Sequence, residues 1–174
     1  MGDSITQGVG TNDDSHSFAY NVTKYFNANS IIQGVGGGRF DAKTLDPKLA
    51  YDPDVIIIAF GCNDWSAYRN NEATFRSKLT EYLDKVDELY GDKIVIGITP
   101  IPRMEDTSGS SLSFEKAREI IEEEYTKRGF IVIDGFQMVP ADKQYYNDAL
   151  HPNTKGFDLY GENLCKAIEQ YINA

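Results

Sequence analysis

Three side chains of this sequence could together activate a nucleophile. Ser4 lies in a glycine-flanked segment at the start of the chain (residues 2–6), and Asp148 and His151 stand three residues apart near its other end. Serine is a weak nucleophile unless a histidine accepts its proton and a third group orients the imidazole ring. The chain has only two histidines. The spacing of Asp148 and His151 therefore predicts that they form a Ser-His-Asp triad with Ser4.

Two glycine-containing segments could stabilise the oxyanion that such chemistry produces. Residues 34–38 are rich in glycine, and residues 61–64 include Asn63. Glycine lets a backbone approach a ligand closely and adopt positive φ. We therefore predict an oxyanion hole made by the backbone N–H groups of Ser4 and Gly37 and by the side-chain amide of Asn63.

The remaining sequence alternates strand and helix patterns, which predicts an α/β fold with a parallel sheet. Short runs rich in β-branched residues predict strands at residues 30–33, 55–60, 93–99 and 130–134. Apolar residues at three- and four-residue spacing predict four helices, which contain residues 18–26, 75–89, 114–125 and 157–171. The predicted site residues follow the strands, at the sheet edge where ligands bind in such folds. No linker divides residues 1–174, so we expect a single domain.

The order and rough spacing of these motifs resemble those of GDSL, or SGNH, hydrolases over nearly the whole chain. The matching motifs are Gly2-Asp3-Ser4, the glycine turn at residues 34–37, Gly61-x-Asn63-Asp64 and Asp148-x-x-His151. The resemblance implies a flavodoxin-like three-layer α/β/α sandwich, with Ser4, Gly37, Asn63 and His151 as the four block residues and Asp148 as the third triad member. It also implies esterase or deacetylase chemistry without a metal or other cofactor. Ile5 replaces the family's usual leucine, which is a conservative change.

One element of the implied fold is missing from the sequence. A flavodoxin-like sheet has strand order 2-1-3-4-5, so its first strand is central, yet nothing before Ser4 is long enough to form it. Removing that strand would separate its neighbours by about two spacings of ~4.8 Å and leave their backbone groups unpaired. We therefore expect an apolar strand of about five or six residues before Met1 in the parent polypeptide, or a segment of a partner chain in its slot.

Aromatic and cationic residues on the predicted site loops suggest the substrate. The candidate substrate contacts are Arg39, Phe40, Trp65, Tyr68 and Tyr145. Aromatic faces beside hydrogen-bonding groups suit sugar rings, so we expect a short-chain acyl ester, with O-acetylated carbohydrate as one candidate. A non-catalytic carbohydrate-binding module and a nucleotide-binding domain remain alternatives. The second is disfavoured because Arg39 stands where the dinucleotide pattern needs its last glycine.

Composition excludes several partners and leaves other properties open. The net charge of −10 disfavours nucleic acid and anionic membrane surfaces, and no apolar run approaches the roughly 18–20 residues that span a bilayer. Cys62 and Cys165 are too few for a disulfide framework and lack metal-ligand spacing. His16 lies in a polar loop and is predicted to be a surface residue. We expect Asp64 to brace the Asn63 loop or the turn around Ser4. Compartment and homo-oligomer formation stay open.

Overall fold

The computed structural model describes residues 1–48, 50–105 and 107–172. Three strands of the described chain form one parallel sheet in the order β1-β2-β3. They are β1 (Val55–Ile58), β2 (Ile94–Ile98) and β3 (Ile131–Ile133). Ile57 pairs with Ile96, and Ile96 pairs with Ile131. Three of the four predicted strands are thus confirmed, each shorter than its apolar run.

The described residues form six α-helices. They are α1 (Ser4–Gln7), α2 (Phe18–Tyr25), α3 (Cys62–Tyr68), α4 (Glu72–Tyr90), α5 (Phe114–Lys127) and α6 (Thr154–Ile172). The four predicted apolar stripes lie on α2, α4, α5 and α6. Short 3-10 helices occupy Asp14–His16, Ala42–Thr44, Gly135–Gln137 and Lys143–Tyr145. Side chains cap the amino ends of α2, α4 and α5: Ser17, Asn71 and Ser113 each accept a hydrogen bond from a backbone N–H of the first turn.

Aromatic contacts hold the helices against each other and against the sheet. Phe18 of α2 stacks on Tyr160 of α6 with ring centroids 4.3 Å apart. Tyr125 of α5 lies directly over Gly97 of β2, where a Cβ atom would come within 2.4 Å of its ring. The helices α4 and α5 also pack together. The architecture is therefore the predicted α/β/α sandwich with the sheet as its middle layer.

The start of the chain lies beside β1 as a very short extended segment. Gly2 forms isolated parallel bridges with Ala59 on one side and Gly34 on the other. Its N–H donates to Gln33 O over 3.0 Å, and Met1 O accepts from Ala59 N over 2.9 Å. Met1 and Gly2 thus lie between β1 and residue 34, in the central place of the sheet that is expected for a first strand. They pair only with residues near the carboxyl end of β1.

The predicted strand at residues 30–33 is wrong. These residues are exposed and carry no strand pairing in the described structure. A β-strand forms only where a neighbour satisfies its main-chain donors and acceptors, and here the neighbouring position is filled only from Met1 onwards. The apolar pair Ile31 and Ile32 is consequently left 50% and 43% exposed.

Candidate active site

Ser4 is the first residue of α1 and follows the extended segment directly. The Asp3 carboxylate caps this helix by accepting from Ile5 N over 2.9 Å. The N–H of Ser4 is among the amides that a helix leaves without an internal acceptor. Gly2 must be glycine here, because a Cβ atom would lie 1.9 Å from Thr6 Oγ1. The tight approach of Gly2 to α1 therefore determines how Ser4 is presented.

His151 lies on a loop that the fold brings back to Ser4. Its Nε2 is 2.8 Å from Ser4 Oγ, and its Nδ1 is 2.8 Å from Asp148 Oδ2. Asp148 Oδ1 accepts two further bonds of 2.7 Å each, from the backbone N–H groups of Leu150 and His151. The loop is anchored to the segment that follows β2, because Met104 N donates to Ala149 O over 2.8 Å. The structure thus brings together the three residues predicted as a triad.

The hydrogen bonds around Asp148 determine the protonation pattern of the site. Partial burial alone would raise the pKa of Asp148, but the bonds from the His151 backbone, the His151 ring and the Leu150 backbone outweigh it and lower the pKa to about 2. The carboxylate is therefore ionised at neutral pH and can only accept. Nδ1 of His151 must then carry the proton, which leaves Nε2 of the neutral ring free to accept from the Ser4 hydroxyl.

Contacts of neighbouring residues link the three segments that carry the predicted oxyanion donors. Residues 34–38, which we call the glycine loop, include a turn closed by the bond from Gly38 N to Val35 O. Gly37 has φ of +75°, which favours glycine. The amide nitrogen of Asn63 donates to Gly38 O over 3.1 Å and approaches Asp3 Oδ2 at 3.4 Å. Asn63 thus links Gly38, which follows Gly37, to Asp3, which precedes Ser4.

Two buried carboxyl groups lie beneath this arrangement. Asp64 is 1% exposed, and its Oδ1 accepts from Phe40 N over 2.9 Å while its Oδ2 has no partner within the described residues. Burial is the largest influence on both groups and raises the pKa of Asp64 to about 7 and that of Asp3 to about 6. We expected Asp64 to brace the Asn63 loop or the turn around Ser4. In the structure, its carboxylate holds the backbone at Phe40, just beyond the glycine loop.

Two of the five candidate substrate contacts lie in the core instead. Phe40 is 2% exposed and packs against Phe60 and Tyr82. Trp65 is 0% exposed, and its indole N–H donates to Leu112 O over 2.9 Å. Side chains that are 0–2% exposed offer a substrate almost no surface to touch, so the structure contradicts this part of the prediction for Phe40 and Trp65.

The other three candidates keep accessible surface. Arg39 is exposed, and its guanidinium lies 5.7 Å from the ring centroid of the half-buried Tyr68. Tyr145 is half-buried, with Lys155 Nζ 4.8 Å from its ring centroid. Arg39 and Tyr68 therefore form one surface beside the glycine loop.

One site residue was missed by the sequence reasoning. Gln7 at the end of α1 accepts from Gly36 N through its Oε1 over 3.1 Å, which ties the helix of Ser4 to the glycine loop. A polar residue three positions after Ser4 carries no signal that distinguishes this role from ordinary solvent exposure. His16, by contrast, pairs at the surface with Asp158 over 2.8 Å.

Among the described residues, no group of three or more histidine, cysteine, aspartate or glutamate side chains could hold a metal ion. Within the same ranges, no helix is long and apolar enough to cross a membrane.

Several solved structures resemble this chain in fold. A lipolytic protein of the G-D-S-L family from Desulfitobacterium hafniense is 21% identical with a TM-score of 0.76, over 96% of each chain. A carbohydrate acetylesterase family member from Sinorhizobium meliloti is 14% identical with a TM-score of 0.73, over 100% of this chain and 97% of that one. A two-domain esterase active on acetylated mannans is 18% identical with a TM-score of 0.75, over 97% of this chain and 47% of that one.

The sequence itself matches one protein family. No functionally curated protein matches the chain. The model of the GDSL-like Lipase/Acylhydrolase family, however, matches residues 1–159, which include Ser4, Asn63, Asp148 and His151. The chain belongs to the GDSL-like lipase/acylhydrolase family and is, as such, an ester-hydrolysing enzyme.

Proposed function

We propose that this enzyme hydrolyses short-chain acyl esters, including O-acetyl groups on carbohydrates, with Ser4 as nucleophile, His151 as base and Asp148 as the orienting carboxylate. The observation that carries the proposal is the 2.8 Å distance between Ser4 Oγ and His151 Nε2. This distance is within hydrogen-bond reach, which general-base catalysis requires. The family resemblance supports ester hydrolysis, and the triad and the substrate are what the proposal adds.

Attack begins when Nε2 of His151 accepts the Ser4 proton as Oγ bonds to the ester carbonyl carbon. The resulting imidazolium is stabilised by the ionised Asp148, whose Oδ2 lies 2.8 Å from Nδ1. His151 then gives the proton to the departing alkoxide, which leaves an acyl group on Ser4. Water, deprotonated by the same nitrogen, then attacks this acyl-enzyme, and His151 returns the proton to Ser4 Oγ as the carboxylic acid leaves.

The negative charge that develops on the carbonyl oxygen needs donors aimed at it. We assign this role to the N–H groups of Ser4 and Gly37 and to the Asn63 amide. One N–H of Asn63 is held by Gly38 O at 3.1 Å, and the other makes only a long contact of 3.4 Å to Asp3. A substrate oxygen would therefore compete with this long contact for the second N–H. Losing one such donor typically costs about 100- to 1000-fold in kcat.

The surface beside the glycine loop suits an ester substrate whose alcohol part is a polar ring such as a sugar. Arg39 offers donors that match sugar hydroxyls, and Tyr68 offers an aromatic face beside it. Of the fold relatives, one is an esterase active on acetylated mannans, and another belongs to a carbohydrate acetylesterase family. Acetylated polysaccharide is therefore the natural substrate class to test.

A panel of aryl esters with acyl chains of increasing length tests the chemistry. Wild type, Ser4→Ala and His151→Ala are compared with Ser77→Ala, a matched serine variant on the exposed side of α4. We expect activity to be highest with acetyl and butyryl esters, and to fall at least about 1000-fold in both site variants but not in Ser77→Ala. Acetate release from acetylated mannan is measured in parallel.

Three outcomes would contradict the proposal. Substantial turnover by Ser4→Ala or His151→Ala would exclude the triad. Activity that rises steadily beyond about eight acyl carbons would exclude the short-chain preference. Binding of sugar without labelling of Ser4 by a fluorophosphonate would favour the non-catalytic carbohydrate-binding module.

A further inference from the structure

The side chain of Arg103 is buried beside the helix that carries Asn63. It is only 4% exposed, although Arg103 follows β2 in a segment without regular secondary structure. Burying a charge is costly unless hydrogen bonds and an opposite charge compensate for the lost water. The contacts of this arginine therefore indicate what its burial achieves.

The guanidinium group holds the first turn of α3. One terminal nitrogen of Arg103 donates to Cys62 O over 2.9 Å and to Ser66 Oγ over 3.0 Å. Ser66 Oγ in turn donates to Cys62 O over 3.0 Å, so the three groups form a closed set of bonds. The N-cap of this helix, Gly61, makes no side-chain bond to it. Arg103 thus supplies a side-chain restraint on the residue directly before Asn63.

Two aromatic rings and one carboxylate hold the guanidinium group itself. Its central carbon lies 4.9 Å from the ring centroid of Trp65 and 5.6 Å from that of Phe114, which is within the range of a cation–π contact. Its other terminal nitrogen pairs with Glu105 over 2.6 Å. The Nε atom is buried and has no hydrogen-bond partner among the described residues. The arginine is therefore held firmly, at the cost of one unpaired N–H group.

The main chain on either side of this arginine is bonded to the loop that carries the proposed base. Pro102 O accepts a buried bond of 3.0 Å from the Tyr146 hydroxyl. Met104 N donates to Ala149 O over 2.8 Å. A segment of three residues therefore connects the first turn of α3 to the His151 loop.

Asn63 is consequently held from two directions. Its side chain donates to Gly38 O over 3.1 Å, and the main chain just before it accepts from Arg103. The position of an oxyanion donor matters because a misplacement of about 1 Å can cost about 100-fold in rate.

We propose that Arg103 is a positioning residue for the oxyanion hole: its side chain fixes the first turn of α3, and with it Asn63, relative to the His151 loop. The inference rests on the proposed function, in which Asn63 donates to an oxyanion formed at Ser4. Among the described residues, the hydrogen bonds of the Arg103 side chain go to Cys62, Ser66 and Glu105. Arg103 therefore acts through Asn63 and not on the reacting atoms.

A double-mutant cycle tests this coupling. Arg103→Met keeps the apolar stem and removes the charge and the donors. We expect kcat for an acetyl ester to fall about 10- to 100-fold in Arg103→Met and at least about 100-fold in Asn63→Ala. The double variant should have about the same kcat as Asn63→Ala alone, because two residues that act through one group are not additive.

Arg69→Met is the matched control. The guanidinium of Arg69 is exposed and lies 5.7 Å from the centroid of the same Trp65 ring, but it belongs to the far end of α3. We expect this variant to keep the kcat of wild type. Arg103→Lys retains a charge and a donor for Cys62 O without the planar fork, so it should recover part of kcat.

Tm and tryptophan emission distinguish positioning from a general loss of the fold. Trp65 is the single tryptophan of the chain, so its emission reports on the contact with Arg103. Glu105 is 35% exposed and stays solvated when the arginine is removed. We therefore expect Arg103→Met to change the emission while Tm shifts by less than about 5 °C. If Arg103→Met does not fold, the cycle is run with Arg103→Lys, whose loss of kcat must likewise vanish beside Asn63→Ala.

Three results would contradict the inference in different ways. Wild-type kcat in a folded Arg103→Met, with Asn63→Ala impaired, would overturn it and leave the proposed function intact. Losses that multiply in the double variant would show that Arg103 does not act through Asn63. Normal kcat in Asn63→Ala would overturn the oxyanion assignment, and this inference with it. Fluorophosphonate labelling of Ser4, measured on the same samples, reports separately on the nucleophile.

Discussion

Asp64 accepts a hydrogen bond of 2.9 Å from the backbone N–H of Phe40, and this buried contact ties the first turn of α3 to the end of the glycine loop. The preceding residue, Asn63, donates to Gly38 O. Two adjacent residues of one helix thus hold both ends of the segment that follows Gly37. We regard Asp64 as a positioning residue for the proposed oxyanion hole, since its carboxylate bonds to backbone and not to the nucleophile or base.

Two substitutions of Asp64 should distinguish an effect on the position of the oxyanion hole from an effect on the stability of the fold. Asp64→Ala leaves Phe40 N buried without an acceptor, which costs about 1–3 kcal/mol and frees the loop. We expect kcat for an acetyl ester to fall at least tenfold (about 1.4 kcal/mol), with a smaller change in KM. Asp64→Asn keeps a carbonyl acceptor in the same place and should restore most of kcat. Equal kcat in all three proteins would show that the contact does not position the site.

The buried carboxyl groups should make the fold less stable as the pH rises from about 4 to 7. Unfolded aspartate loses its proton near pH 3.9, whereas the raised pKa values keep Asp3 and Asp64 protonated to about pH 6 and 7 in the folded state. The folded state then binds more protons across this interval, so the free energy of unfolding falls with rising pH. Denaturant unfolding of wild type and Asp64→Asn at several pH values measures the slope. We expect a shallower slope in the variant, and an unchanged one would exclude Asp64 as its source.

Asp148→Asn should damage turnover while leaving the fold intact. Asparagine can donate to Nδ1 and so favour the tautomer with its proton on Nε2, which cannot accept from Ser4. A loss of up to about 10⁴-fold in kcat is expected by analogy with other triads. Asp142→Asn, at the exposed N-cap of the 3-10 helix that precedes the His151 loop, is the matched control. Near-normal kcat in Asp148→Asn would mean that another group orients His151.

Gly37 and Gly129 allow a comparison at equal backbone strain. Their φ angles are +75° and +71°, and a Cβ atom at either position would meet nothing within 4 Å. Alanine at each should therefore cost a similar amount of stability, about 1 kcal/mol. Only Gly37→Ala should lower kcat, because Gly129 lies beyond α5, outside the site. Stability from denaturant melts and kcat are measured on both, and equal kcat values would remove Gly37 from the oxyanion hole.

Arg39 and Phe40 are neighbours in sequence with opposite expected effects. Arg39→Ala removes an exposed side chain beside Tyr68, and we expect a higher KM for acetylated carbohydrate with little change in Tm. Phe40→Ala removes a ring that is 2% exposed and should destabilise the fold by about 3–5 kcal/mol. Measurements of KM and Tm for both variants test whether Arg39 contributes to substrate binding and Phe40 to the stability of the fold. A raised KM in a well-folded Phe40→Ala, with Arg39→Ala unaffected, would reverse the assignment.

Most helices and strands could be predicted from the sequence because their apolar periodicity is a local property. The stripe of α4, for example, recurs every three or four residues and is buried as expected at Phe75, Leu79 and Val86. The strand predicted at residues 30–33 failed because pairing is not local. Its apolar residues match the pattern, but the position beside them is filled by main chain only from Met1 onwards.

The proposed site divides in the same way. Asp148 and His151 could be paired from their spacing alone, since a three-residue turn brings a carboxylate to an imidazole ring. Phe40 and Trp65 were misassigned because an aromatic residue after a strand suits a core and a binding surface equally well. Only burial distinguishes the two roles, and burial depends on which distant side chains pack against the ring.

The sequence by itself determined the residue types of the proposed chemistry, their order and the α/β alternation that places them at one edge of a sheet. Short-range spacing and periodicity carry that information. The tertiary structure decided the 2.8 Å approach of His151 to Ser4 across 147 positions of sequence and the contact of Asp64 with Phe40. These depend on long-range packing and main-chain pairing, in which each partner's position is set by elements far from it in the chain.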